Sequence, residues 1–236
     1  MRSKILLSLC VISLLVTGSV MASDKPVLGV AEFQNDTSAG WWYGGVGRDL
    51  AGMLSNELAG TGKFKVVERE KLNAVLDEQD LADSGRIAKK TGAKIGKLTG
   101  AQYLVVATLS SFESDVKGTG GGLSFRGISV GGKKEDAYMA VDLRVIDTTT
   151  GEVEFTRTVE ARASSGGLNL GLYRGGFGGD LSKYEKTPTG KAIRAVIMEI
   201  SEYLGCAMVD KGDCMDEYNA KESSRREKTK KAIKLD

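Results

Sequence analysis

From Glu152 to Ala163 the side chains alternate in character at a spacing of two. Val153, Phe155, Val159, Ala161 and Ala163 share one parity, while Glu152, Glu154, Thr156, Thr158, Glu160 and Arg162 share the other. A period of two is the signature of a β-strand with one apolar face, and a helix cannot satisfy it. Only Arg157 breaks the apolar parity. A strand of 12 residues reaches about 40 Å, which is long for a small soluble sheet.

The flanking segments repeat the theme. Ala137, Met139, Val141, Leu143 and Val145 alternate with polar residues, and Leu168, Leu170 and Leu172 do so again. Turn chemistry separates these runs: Gly131–Asp136, DTTTG at 147–151, SSGG at 164–167 and GGFGG at 175–179. Phe112 to Gly132 is rich in Gly and Ser. The chain holds 31 glycines against 2 prolines, and this half explains the excess.

The first half has a different grammar. Val27–Phe33 reads as a buried strand, Gln34–Gly45 as a loop, and Val46–Leu58 as a helix with Val46, Leu50, Met53, Leu54 and Leu58 on one face. Phe64–Val67 reads as a short strand. Glu68–Leu81 is a second expected helix, with Leu72, Val75, Leu76 and Leu81 as its buried face, and Ile87–Leu98 a weaker third. Tyr103–Leu109 is a strongly apolar strand. Alternating strands and helices predict an α/β body with a partly parallel sheet. A last helix is expected from Thr187-Pro188 to Leu204, with Thr187 as N-cap, Pro188 at the first position and Ile193, Val196, Ile197, Ile200 and Leu204 as its stripe. Asn219–Asp236 is a charged tail, read as a solvated helix or a disordered end.

Residues 1–22 have the order of an export signal: Arg2 and Lys4, then the apolar run Ile5–Thr17, then small residues around Ala22. Leu9 precedes Cys10 where a lipid-attachment signal takes a small residue, so cleavage after Ala22 is expected instead. The whole chain carries a formal charge of +2, and loss of Arg2 and Lys4 brings it to neutrality. An exported, neutral protein is not expected to bind nucleic acid.

The sequence contains no histidine. Ser-His-Asp triads, Cys-His dyads and HExxH zinc sites all need an imidazole, so none is expected. No catalytic residue, metal site or cofactor is assigned. Asp77, Glu78, Asp80 and Asp83 cluster along a helix end, and Gly44–Gly47 precedes a helix without GxGxxG spacing; neither pattern singles out a site. Past the signal the cysteines are Cys206 and Cys214, which suit a disulfide in an oxidising compartment or, alternatively, a metal or redox pair. Trp41, Trp42 and Tyr43 stand together in a glycine-flanked loop, either folded onto the body or forming an exposed ring. The glycine-rich hairpins likewise have two readings, as soluble surface ribbons or as amphipathic membrane strands pooled from several copies.

The order of these parts resembles the CsgG/HfaB family of bacterial envelope proteins. The likeness rests on VLGVAEFQNDT (27–37), KFKVVEREKLNAVLDEQ (63–79), TGAKIGKLTGAQYLVVATLSSFES (91–114), AVDLRVIDTTTGEV (140–153) and KTPTGKAIRAVI (186–197). It implies a signal peptide (1–22), a CsgG-like periplasmic α/β domain (23–210) and a charged C-terminal tail (211–236). Two long Gly-rich amphipathic β-hairpins, about 111–147 and 152–180, would be inserted in that domain and pool into an oligomeric transmembrane β-barrel. The resemblance further implies a non-enzymatic homo-oligomeric ring at the outer membrane of a Gram-negative bacterium, nonameric in the best-known members, secreting unfolded curli-like cargo. In the family the loop after the first strand narrows the pore. Its place here is Gln34–Gly45, so Trp41, Trp42 and Tyr43 are the expected constriction residues. A soluble periplasmic module that recruits an envelope enzyme or attachment factor is the alternative.

Overall fold

The computed structural model describes residues 24–88, 90–118, 123–125, 128–130, 133–165 and 179–233. The signal segment, the leucine alternation at 168–172 and most of the 175–179 turn lie outside the described residues.

Strand β1 (Val27–Val30) is followed by the two-residue β2 (Gln34–Asn35), helix α1 (Val46–Gly60) and β3 (Lys65–Val67). Then come α2 (Leu72–Asp83), the long β4 (Tyr103–Gly118), the small pair β5 (Leu123–Phe125) and β6 (Ile128–Val130), and β7 (Lys133–Asp147). Strand β8 (Val153–Ser164), a 3-10 turn (Gly179–Tyr184), α3 (Pro188–Leu204), a π-turn (Gly205–Asp210) and α4 (Asp213–Ala232) complete the chain. The main sheet runs β3-β1-β4-β7-β8, with β2 added to β4. β1 pairs in parallel with β3 and β4, whereas β7 pairs antiparallel with both β4 and β8. The sheet is thus mixed: the strand–helix half supplies the parallel part and the alternating half the antiparallel part.

α1 and α3 cover one face. Leu50, Leu54 and Leu58 of α1 and Ile193, Val196, Ile197, Ile200 and Leu204 of α3 are buried over Val105, Ala107, Leu109, Met139, Val141, Leu143 and Val159. α3 begins as its sequence demands: the Thr187 hydroxyl accepts from the Gly190 backbone N–H at 3.2 Å, with Pro188 next to it. The helix can seat this closely because residue 190 has no side chain; a Cβ there would stand 2.0 Å from the Tyr184 carbonyl oxygen. Gly47 plays the same part in α1, where a Cβ would meet the Phe33 carbonyl oxygen at 2.4 Å.

Four local expectations are corrected. Ile87–Leu98 forms turns instead of a third helix, with Ile95 and Leu98 exposed. The segment has two glycines and too few apolar residues to bury a face, so tertiary packing does not supply what propensity lacks. α2 starts at Leu72, four residues late, because the Glu68 carboxylate accepts from the Glu70 and Lys71 N–H groups in a turn. Its expected buried face is open: Val75, Leu76 and Leu81 are 38–39% exposed, and Gln79 is the buried residue. Lys133–Asp136, read as a turn, are strand, because they pair across to Asp115–Gly118 of β4.

Candidate functional site

The aromatic loop between β2 and α1 is built from short-range hydrogen bonds. The Asn35 side-chain oxygen accepts from the Thr37 N–H (2.9 Å) and hydroxyl (2.7 Å), and the Thr37 hydroxyl oxygen accepts from the Ala39 N–H (3.2 Å). Asp36 N–H donates to the Leu109 carbonyl, tying the loop to β4, and Trp42 N–H donates to the Ala39 carbonyl. Gly45 then takes a left-handed conformation (φ 96°), which glycine adopts without the strain a side chain would bring.

This framing separates the three aromatic residues. Trp41 is 4% exposed and fills the protomer core. It lines a cavity of about 10 Å³ with Phe33, Leu50, Leu109 and Met139, and packs edge-on to Phe112 at 5.6 Å between ring centroids. An indole placed there packs the core of the protomer. Trp42 and Tyr43 are half-buried against the same core. Trp42 leans on Trp41 at 5.5 Å, and Lys183 Nζ sits 4.3 Å from the centre of the Tyr43 ring. Lys183 belongs to the 3-10 turn preceding α3, so this cation–π contact joins the loop to the chain that follows β8. The Trp41 Nε1 and the Tyr43 hydroxyl find no hydrogen-bond partner among the described residues.

A second constellation lies at the far edge of the sheet and was missed from the sequence. Arg157, the residue that breaks the alternation in β8, sits between the rings of Tyr203 (5.0 Å) and Tyr218 (4.8 Å), and its terminal nitrogens donate to the Tyr218 backbone oxygen. The broken parity was the signal; its partner, a tyrosine on another helix, could not be read from it. Burial pushes the Tyr218 phenol up to about 12, and it also raises that of Tyr203. Beside this clamp an open groove of about 500 Å³ separates Arg157–Glu160 from Lys221, Glu222 and Arg225 of α4. Hydrogen bonds from Arg225 and Arg226 hold Glu222 down at about 2.

Cys206 and Cys214 form a disulfide with their Cα atoms 6.0 Å apart, closing the turn between α3 and α4. Lys63 pairs with Asp210 at the same turn. Asp77, Glu78, Asp80 and Asp83 are all exposed on α2, spread along the helix instead of converging on a cleft. Among the described residues no group of His, Cys, Asp and Glu is placed to hold a metal ion. No described helix is long and apolar enough to cross a membrane.

Known proteins resemble this chain in sequence and in outline. CsgG of Salmonella typhimurium and CsgG of Escherichia coli, each described as a curli production assembly/transport component, are both 26% identical over 133 residues. That match takes in 55% of this chain and 48% of each relative, so the chain spans about half the length of the curated relatives it matches. Among solved structures, the hypothetical protein CT253 from Chlamydia trachomatis superposes with a TM-score of 0.43 at 16% identity, covering 77% of this chain and 96% of that one. The PelC dodecamer from Paraburkholderia phytofirmans gives a TM-score of 0.35 at 12% identity, with 75% and 86% covered. The family model for the curli production assembly/transport component matches residues 10–233, nearly the full length, and the chain belongs to the CsgG family.

Proposed function

We propose that the chain is a non-enzymatic subunit of an exported, outer-membrane-associated homo-oligomer that conducts unfolded, surface-assembled polypeptides such as curli-like subunits. One observation carries the reading. The β4–β7 ladder does not stop where the core stops: Ala137, opposite Ser114, is the last core residue of this end among the described residues, yet pairing continues from Asp115↔Asp136 to Gly118↔Lys133. A ribbon prolonged past its own core is marginal in water and needs burial elsewhere. Among the described residues β4 has no second neighbour beyond Leu109, and β8 is an edge strand. Open edges on both sides of the ribbon suit the pooling of strands from several copies, which is how an incomplete sheet satisfies its backbone in a membrane.

The loop Gln34–Gly45 keeps its role as the proposed constriction, with a division of labour. Trp41 anchors the loop from beneath, and Trp42 and Tyr43 are the residues that could turn toward a passing chain. Transport would be passive, the loop limiting leakage while the lumen conducts.

A second reading is a soluble periplasmic module that recruits an envelope enzyme or attachment factor. It is favoured by the packing of Met139, Val141, Val159 and Ala161 beneath α3, which uses the apolar parity of β7 and β8 for the body. Conductance of the purified, signal-free protein in planar bilayers separates the two. Stable steps that grow in Trp42→Ala or Tyr43→Ala support the constricted channel. Steps indifferent to both substitutions retain the channel and remove the constriction. Failure of folded, oligomeric protein to insert favours the recruiting module.

A further inference from the structure

The β7–β8 ladder decides which backbone groups of β8 are spare. The Ser165 N–H donates to the Glu135 carbonyl, one residue beyond the Asp136↔Ser164 pair. Antiparallel bonds recur at every second residue, so Arg157, Val159, Ala161 and Ala163 exchange them with β7. The N–H and C=O groups of Thr158, Glu160 and Arg162 therefore point the other way. Two side chains agree with this parity. The Ser110 hydroxyl donates to the Ala140 carbonyl, so Ala140 turns its backbone to β4 and away from its partner Glu160. The Lys191 ammonium donates to the Ser164 carbonyl, which the same parity places on the outer side of β8. No described residue bonds to the backbone of Thr158 or Glu160.

α4 does not close over these groups. Arg157 spans from the strand to the Tyr218 carbonyl, and the disulfide fixes the start of the helix. Beyond that point the helix stands off from Arg157–Glu160 across the groove of about 500 Å³. Those four strand residues span about 13 Å, so the groove has a mean cross-section of about 40 Å². A strand in a packed sheet takes about 48 Å², from spacings of about 4.8 Å sideways and about 10 Å between layers. The gap is one strand wide. Its helix side is a stripe, with Lys221, Ser224, Arg225 and Lys228 at helical spacing. Lys221 pairs with Glu217 and Glu199, and Arg225 with Glu222, whereas Lys228 has no ion pair among the described residues.

We infer that this groove docks an extended segment of another polypeptide, which adds to β8 as a strand and presents carboxylates to Lys228. An edge strand recognises backbone whatever the sequence, and the cationic stripe adds a preference for acidic side chains. The outer edge of the added strand meets α4, whose cations donate to its carbonyls. A second copy of the sheet is not the occupant, because α4 leaves no place for a strand after the first. Pooling of strands needs an edge open on its far side, which β8 lacks beside α4. The inference goes beyond transport and holds for a conducting subunit and a recruiting module alike.

The probe is a blocked, fluorescently labelled peptide of about eight residues alternating threonine and glutamate, within the ordinary length of a strand. Added to the full signal-free protein, it should raise the anisotropy to saturation. It should slow hydrogen exchange at the Thr158 and Glu160 amides and leave Arg157 and Val159, already bonded to β7, unchanged. Thr158→Pro removes the outward N–H and spares the β7 ladder, so it should bind about fivefold more weakly or worse. Thr158→Val also loses the hydroxyl bond to Asp142 but keeps the N–H, and should bind as the wild type does. Lys228→Glu, at an exposed position, should weaken the peptide about fivefold and favour one with lysine in place of glutamate. If thermal melts show that Thr158→Pro does not fold, Lys228→Glu and the exchange pattern decide. No binding, equal binding by the Pro and Val variants, indifference to Lys228→Glu, or Thr158 and Glu160 amides protected before peptide is added each overturn the inference and leave the proposed conduction standing.

Discussion

Arg157 donates from both terminal guanidinium nitrogens to the backbone carbonyl oxygen of Tyr218, at 3.2 Å each. The contact spans 61 residues of sequence and fastens α4 to the edge of the sheet. The guanidinium is flanked by two tyrosine rings, so its planar faces are packed while its edge is hydrogen-bonded. Arg157→Leu should therefore cost about 2–3 kcal/mol in denaturant unfolding, from a charge-assisted hydrogen bond and two cation–π contacts. Arg157→Lys keeps the charge but offers no planar fork, and it should recover less than half of that loss. Hydrogen exchange should show the protection of α4 falling before that of α3; uniform loss across both helices would argue against a local clamp.

The disulfide should act at the same junction. Cys206 and Cys214 are 8 residues apart, and closing so short a loop is worth about 2–3 kcal/mol on the chain-entropy account. Cys206→Ala/Cys214→Ala should lower stability by that amount while leaving the sheet intact. Unfolding at matched protein concentration, with and without reductant, measures it. A wild-type protein whose midpoint ignores reductant would show that the bond contributes little to stability.

How far these features could be read in advance differs by cause. α3 was legible because its cap, its proline and its apolar stripe are all local. The alternating strands were legible for the same reason, and the Arg157 anomaly was visible, but its partners Tyr203 and Tyr218 lie on other elements and follow from tertiary placement. The periodicity of α2 gave a helix correctly and its burial wrongly, since a pattern says which face is apolar and not what covers it. Lys133–Asp136 looked like a turn because Lys-Lys-Glu-Asp is polar, whereas a partner strand overrides local propensity. The aromatic loop was placed correctly between the first strand and α1, but sequence could not rank Trp41 as core and Trp42 and Tyr43 as half-buried.

Acid should loosen α4 before the body. Hydrogen bonds from Arg225 and Arg226 hold the Glu222 carboxyl at about 2, below its ordinary value of 4.5. A lowered folded pKa contributes stability that is present above 4.5 and fades as the pH falls through 4.5 toward 2. Helical signal from residues 213–232, followed by NMR shifts, should decline across that window in the wild type. Glu222→Gln should show a weaker helix at neutral pH and a flatter profile. An identical acid profile in the variant would remove Glu222 as the cause.

Base should act through Tyr218. Its phenol is raised to about 12 because burial disfavours the phenolate. The neutral form is favoured in the fold, so this contribution is complete below 10 and is lost as the pH rises through 10 toward 12. Ultraviolet titration of the wild type against Tyr218→Phe should assign the latest-ionising phenol to this residue. If the difference spectrum instead titrates near 10, the ring is open to water.

Trp41 and Trp42 are neighbours in sequence and should behave as different kinds of residue. Trp41 is interior, packed by Phe33, Leu109, Met139 and Phe112, and truncation removes a large buried surface that the surrounding strands cannot close over. Trp41→Ala should cost about 3–5 kcal/mol, enough to threaten folding outright. Trp41→Phe, which leaves a smaller void, should cost less and fold. Trp42 is only half-buried, and its removal should cost about 1 kcal/mol, from the part of its apolar surface that leaves the core. Denaturant melts of the three variants settle the ranking. The ranking in turn governs how conductance data are read: a loss of current in Trp41→Ala reports a damaged protomer, whereas a change in Trp42→Ala with an unchanged melt reports the loop itself. Equal destabilisation by the two alanine substitutions would mean that Trp42 is as much a core residue as Trp41, and would leave Tyr43 as the aromatic residue of the loop available to a passing chain.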